Sequence, residues 1–78
     1  MNLSILSPEN ILFEGTISLV QLPGIDGLFE VLPRHAQMVT TLAAGNIRII
    51  DSEQKETILP IGGGVFETSN NKATVLVM

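Results

Sequence analysis

Turn signals interrupt this chain about every eight to twelve residues, a spacing that leaves room for short strands and little else. Pro8 with Asn10, Pro23-Gly24, Asp26-Gly27, Gly45-Asn46, the polar stretch DSEQ at 51–54 and Asn70-Asn71 each mark a place where a chain reverses or takes positive φ. Between them lie apolar runs with a period of two: LSIL at 3–6, ILFE at 11–14, TISLVQL at 16–22, MVTTL at 38–42 and IRII at 47–50. Further runs occupy 56–61, 65–67 and 73–78. No stretch carries an apolar stripe at helical spacing. Ala43-Ala44 has some helical inclination, far below the 12 or so residues an isolated helix needs. The pattern predicts an all-β sandwich or flattened barrel of about eight short strands, in one domain over residues 1–78.

Local features refine that expectation. In TISLVQL, Val20 and Leu22 fall on one face while Ile17 and Leu19 fall on the other, so both faces are expected to be covered. Gly15 suggests a bulge or a close backbone approach. Pro33 ends the short run at 28–32 and bars it from a central ladder. The corner that follows, at Arg34-His35, reads as an exposed docking edge.

Composition narrows the function classes. Four basic residues against eight acidic ones give a formal net charge of −4, and Arg34, Arg48, Lys55 and Lys72 are scattered. No basic stripe exists for a phosphate backbone, so nucleic acid is not an expected partner. Cysteine is absent and there is one histidine, which excludes disulfide staples and leaves a structural zinc without a ligand set unless carboxylates supply the rest, a poor match to such sites. The chain is 45% hydrophobic but only 15% charged, against about 25% charged in an average soluble domain. A domain of this size cannot bury that much apolar surface, so some must remain outside and meet another molecule. No run approaches the roughly 20 apolar residues needed to span a bilayer, which favours a protein partner over membrane insertion.

Three features invite a chemical reading. His35 has Asp26 and Glu30 nearby in sequence, and an acid–histidine pair could act as a general base. No serine sits at a nucleophile elbow and no thiol exists, so a corner histidine that touches a partner is the better reading. Gly62-Gly63-Gly64 resembles a phosphate loop only superficially, because a strand run follows it and no lysine is near. The glycines are expected to let backbones approach closely. Lys55 lies beside the hairpin tip DSEQKET, where swinging-arm carrier domains of the biotinyl or lipoyl type hold their modified lysine. Gln54 and Glu56 flank it where such domains usually have small or sulfur-containing residues. The carrier reading stands as the alternative from another functional class. Glu14, Glu53, Glu56 and Glu67 read as solvated charges.

Over residues 23–49, the pattern PG..G.F.VLP.HA.MVT.LA.G.IRI resembles the N-terminal domain of the epsilon subunits of F-type ATP synthases. LSILSPENILFEG resembles that family's opening strands and GGGVFETSNNKATVLV its closing hairpin, so the resemblance covers essentially the whole chain. It implies a β-sandwich of two antiparallel sheets with about ten short strands. It also implies a non-catalytic rotor subunit in the central stalk, coupling the gamma subunit to the membrane c-ring, with no cofactor. The expected location is peripheral, on the cytoplasmic face of the inner (plasma) membrane. Position by position, His35, Met38 and Thr40 match residues expected to face gamma, and Asp26, Gly27 and Leu28 match a loop expected to face the c-ring. The chain departs from the family pattern at Leu28, where an acid is common, at Glu30 and Arg34, where glycine is common, and at Gln37, where proline is common. Many family members continue into a C-terminal helical hairpin that can inhibit hydrolysis. This sequence stops at Met78, so the expectation is assembly and coupling without self-inhibition.

Overall fold

The runs at 11–14 and 16–22 form one strand of 14 residues, and that strand takes part in both layers of the molecule. The computed structural model describes residues 1–34 and 36–78. Its strands are β1 (Asn2–Leu6), β2 (Ile11–Gly24), β3 (Gly27–Val31), β4 (Met38–Leu42), β5 (Gly45–Asp51), β6 (Glu56–Ile61), β7 (Gly64–Ser69) and β8 (Lys72–Val77). The first half of β2 pairs antiparallel with β1, from Asn2–Thr16 to Leu6–Ile11. Parallel pairing then joins β1 to β8, which pairs antiparallel with β7, and β7 with β4. The second half of β2 lies between β3 and β5, and β5 pairs with β6. β4 meets β2 again at Leu42–Gly24, so the first layer closes onto the second.

This is the all-β sandwich expected, without a helix among the described residues. Eight strands are present where the resemblance implied about ten, because β2 contributes to both sheets. Continuous backbone shared by two layers leaves fewer free edges for unwanted pairing. β6, which pairs only with β5, carries Pro60, whose missing N–H blunts that edge.

β2 changes layer at Ser18. Ile17 pairs with Asp51 and Leu19 with Ile50, so Ser18 is the extra residue of a β-bulge. Its hydroxyl lies 3.2 Å from the Ile50 carbonyl oxygen and 3.1 Å from that of Asp51. The bulge shifts the parity of every later residue, so Ile17, Val20 and Leu22 all enter the core while Leu19 does not. The opposite-face expectation for Ile17 and Val20 therefore fails, for a reason that strict alternation cannot anticipate. The bulge expected at Gly15 is absent: Gly15 pairs regularly with Leu3, and a second irregularity falls at Leu12 instead. Turn positions also move. Pro23-Gly24 and Gly45-Asn46 belong to strands, and the reversals occur at residues 25–26 and 43–44.

The core is filled by Leu3, Ile5, Val20, Leu22, Val31, Ile47, Ile49, Phe66 and Val75, all fully buried. Burial of each aliphatic or aromatic side chain of this size contributes about 1.5–3 kcal/mol. Phe66 from the first layer meets Phe29 from the second edge-on, with ring centroids 5.9 Å apart and planes at 67°.

Candidate functional site

Inward alternation of Leu3, Ile5, Phe66 and Val75 obliges their neighbours to face outward. On the outer surface of the first layer this aligns a transverse row. Thr41 pairs with Val65, Val65 with Leu76, Leu76 with Leu6, and Leu6 with Ile11. Val65, Leu76 and Ile11 keep 40%, 53% and 65% of their surface exposed. A shallow depression lined by Gly62, Gly63, Val65 and Met78 continues the row at one end of the layer. The next rows across the same face are Val39, Glu67, Thr74, Ser4 and Glu14, then Ser69, Lys72, Asn2 and Thr16. The surface thus grades from apolar near the β6–β7 connection to polar near the β7–β8 turn. Composition required apolar surface on the outside, and cross-strand register collects part of it into one band.

The hairpin between β2 and β3 projects at the apolar end. Gly24 pairs with Gly27, and Ile25 and Asp26 form its tip. Ala43 donates its N–H to the Pro23 carbonyl at 2.8 Å, holding the hairpin base against the β4–β5 connection. Gly27 has φ of 126°, a conformation that side chains disfavour. Asp26, Gly27 and Leu28 are all exposed, and with Ile25 they make a tip that is apolar around a single acid.

The corner between β3 and β4 lies at the opposite end, separated from the tip by the length of β4. Pro33 and Arg34 form an exposed turn, with Arg34 at φ of 68°. Met38 and Thr40 share the parity of buried Leu42, and each is half-buried, Met38 against the core. Val39 and Thr41 are the β4 residues that face outward. His35 lies outside the described residues. The structure therefore places Met38 and Thr40, expected to face gamma, along one strand, and the residues expected to face the c-ring on a separate hairpin, Asp26 at its tip and Gly27 and Leu28 at the start of β3. Val39, Val65, Leu76 and Ile11 were missed by sequence reasoning. Alternation marks each as outward, but their assembly into one surface depends on register.

The remaining candidates do not assemble into a site. Asp51 Oδ1 accepts the N–H groups of Glu53 and Lys55 at 2.8 and 2.9 Å, so the 51–55 loop is organised around Asp51 and leaves Lys55 exposed. Glu14, Glu53, Glu56 and Glu67 are exposed, and Glu56 pairs with Arg48 at 2.5 Å. The one buried polar side chain among the described residues is Thr68. No metal-holding group of histidine and acids occurs among them.

Known proteins share this architecture. A family model described as the β-sandwich domain of the ATP synthase delta/epsilon chain matches residues 1–78. An ATP synthase epsilon chain of Chlorobaculum tepidum is 42% identical over 74 residues, spanning 95% of this chain and 84% of that one. The corresponding protein of Chlorobium limicola is 39% identical over the same shares. That of Leptospira borgpetersenii is 37% identical over 97% of this chain but only 59% of its own. Among solved structures, a chain of the Euglena gracilis mitochondrial ATP synthase superposes with a TM-score of 0.90 at 17% identity, covering 96% of this chain and 48% of that one. A chain from the central stalk and c-ring of the Tetrahymena thermophila enzyme gives 0.81 at 15%, covering 100% and 63%. At such identities the two structures speak to the fold alone.

Proposed function

The chain belongs to the delta/epsilon-chain family of ATP synthases through its β-sandwich domain, and we propose that it serves as a non-catalytic rotor subunit joining gamma to the c-ring. The observation that carries this reading is the apolar row in which Val65, Leu76 and Ile11 are exposed and half-buried Leu6 links the last two. A monomer has no use for such a band, whereas a seat on a stalk subunit buries it. Gamma would lie on the outer face of the first layer, from the corner at Arg34 past Val39 to the row, with the inward-facing Met38 and Thr40 supporting that strand from behind. The c-ring would meet the hairpin tip at Asp26, Gly27 and Leu28.

The chemistry asked of the chain is mechanical. Torque passes through it without loss only if the two contact regions cannot shear against each other. A strand common to both layers, and a first layer closed at Leu42–Gly24, make the two regions parts of one hydrogen-bonded body. No proton, metal or cofactor enters this function. The subunit would sit peripherally at the membrane that holds the c-ring, on its cytoplasmic face in a bacterium.

The test is affinity capture from detergent-solubilised membranes with the tagged chain. Co-recovery of gamma and c-ring supports the reading. Recovery of neither, from membranes whose ATP synthase is intact, overturns it.

A further inference from the structure

Asn71 ties together three separate segments. With Asn70 it forms the β7–β8 turn, the two residues having φ of 52° and 60°, the left-handed pair that a two-residue hairpin requires. Its backbone carbonyl accepts the N–H of Asn2 at 3.2 Å, at the start of β1. Its side-chain Oδ1 accepts the N–H of Arg34 at 3.0 Å, across 37 positions of sequence. A second tie runs parallel to it, from Gln37 Nε2 to Ser69 Oγ at 3.3 Å.

Arg34 is the residue whose backbone needs this hold. At φ of 68° it occupies the left-handed region, which a side-chain-bearing residue adopts only at a cost. Such a conformation persists only where the surroundings impose it. The turn therefore dictates the direction in which the exposed Arg34 leaves the corner. Among the described residues the ion pair is Arg48–Glu56, and Arg34 forms none. Lys72, also exposed, follows Asn71 directly. Two of the four basic residues in a chain of net charge −4 thus flank one clasp.

We infer that Asn71 is a positioning residue: it locks the corner so that Arg34, with Lys72 beside the clasp, is presented to a carboxylate-bearing surface of the gamma subunit. This rests on the rotor reading above and adds to it the chemistry of one contact. A cation held rigidly before docking loses less side-chain and loop freedom on binding. Charge at this rim would also steer the encounter and make it sensitive to salt.

The test is a double-mutant cycle on the full chain, titrated against purified gamma at low and high salt. Asn71→Gly keeps a residue that favours φ near 60° but removes the acceptor. Arg34→Gln keeps the clasp but removes the charge. Each single variant is expected to fold like the parent and to weaken gamma binding about tenfold at low salt. The double variant should lose little more than either single one, and the salt dependence should flatten in Arg34→Gln. Amide exchange at Arg34 should quicken in Asn71→Gly and stay slow in Arg34→Gln. Parent-like affinity in Asn71→Gly, additive losses in the double variant or an unchanged salt slope in Arg34→Gln would overturn the inference while leaving the rotor assignment standing. Failure of the parent chain to bind gamma would remove both.

Discussion

Gly64 runs so close to Leu76 that a Cβ on it would lie 2.2 Å from the Leu76 carbonyl oxygen. That oxygen belongs to the facing strand, so it cannot swing away as a side chain would. Gly64→Ala is expected to force β7 and β8 apart and cost about 3 kcal/mol. Gly62, two positions earlier, would meet nothing within 4 Å if it carried a Cβ, and its φ is not positive. Gly62→Ala should change stability by less than about 0.5 kcal/mol. Urea unfolding of the two variants separates them, and equal effects would contradict the close approach.

A charge placed on the apolar row should act on docking and not on folding. Leu76 is 53% exposed and directs its side chain away from the core residues Val75 and Phe66. Leu76→Lys is expected to leave the unfolding midpoint close to the parent's. Affinity for gamma should fall at least tenfold, because the charge would have to be desolvated in an apolar contact. Calorimetric titration of the pair reads the loss. Undiminished affinity would move the docking seat to another face.

The fold class was legible because it depends on punctuation and alternation, which are local. The strand at 56–61 and the Asn70-Asn71 turn appear where residue chemistry puts them. What escaped was nonlocal. Pro23-Gly24 and Gly45-Asn46 carry turn chemistry, yet pairing with β3 and β6 draws them into strands. The two runs merge into β2 because Gly15 pairs regularly with Leu3, and the layer change within it turns on a bulge whose position no residue type announces. The docking row was hidden for a related reason. Outward residues of single strands become a surface only once register aligns Val65 with Leu76 and Leu6 with Ile11.

Ser18 offers a direct test of the bulge. Its single hydroxyl proton is shared between the carbonyls of Ile50 and Asp51, so Ser18→Ala should cost about 1 kcal/mol. Deleting Ser18 is a far harsher change. It would restore strict alternation with Ile17, Val20 and Leu22 still inward, but it would remove the bend and extra twist with which β2 passes from one layer to the other. The deletion is expected to abolish cooperative unfolding, measured by circular dichroism on heating. A deletion variant that melts like the parent would show that the layer change does not depend on the extra residue.

Thr68 poses the opposite case, a polar atom whose removal should help. It is 2% exposed, and its hydroxyl has no hydrogen-bond partner among the described residues. A buried hydroxyl without a partner has lost its water and gained nothing in return, a deficit of about 1–3 kcal/mol. Valine has nearly the same shape and the same branching at Cβ, so it suits the β7 backbone and creates no cavity. Thr68→Val is expected to raise stability by about 1 kcal/mol, visible as a higher urea midpoint at unchanged slope. Thr68 faces inward beside Met38 and Ala73, so affinity for gamma should not change. A loss of stability in this variant would mean that the hydroxyl holds a partner in solution, and the end of β7 would then be a polar node and not a packing defect.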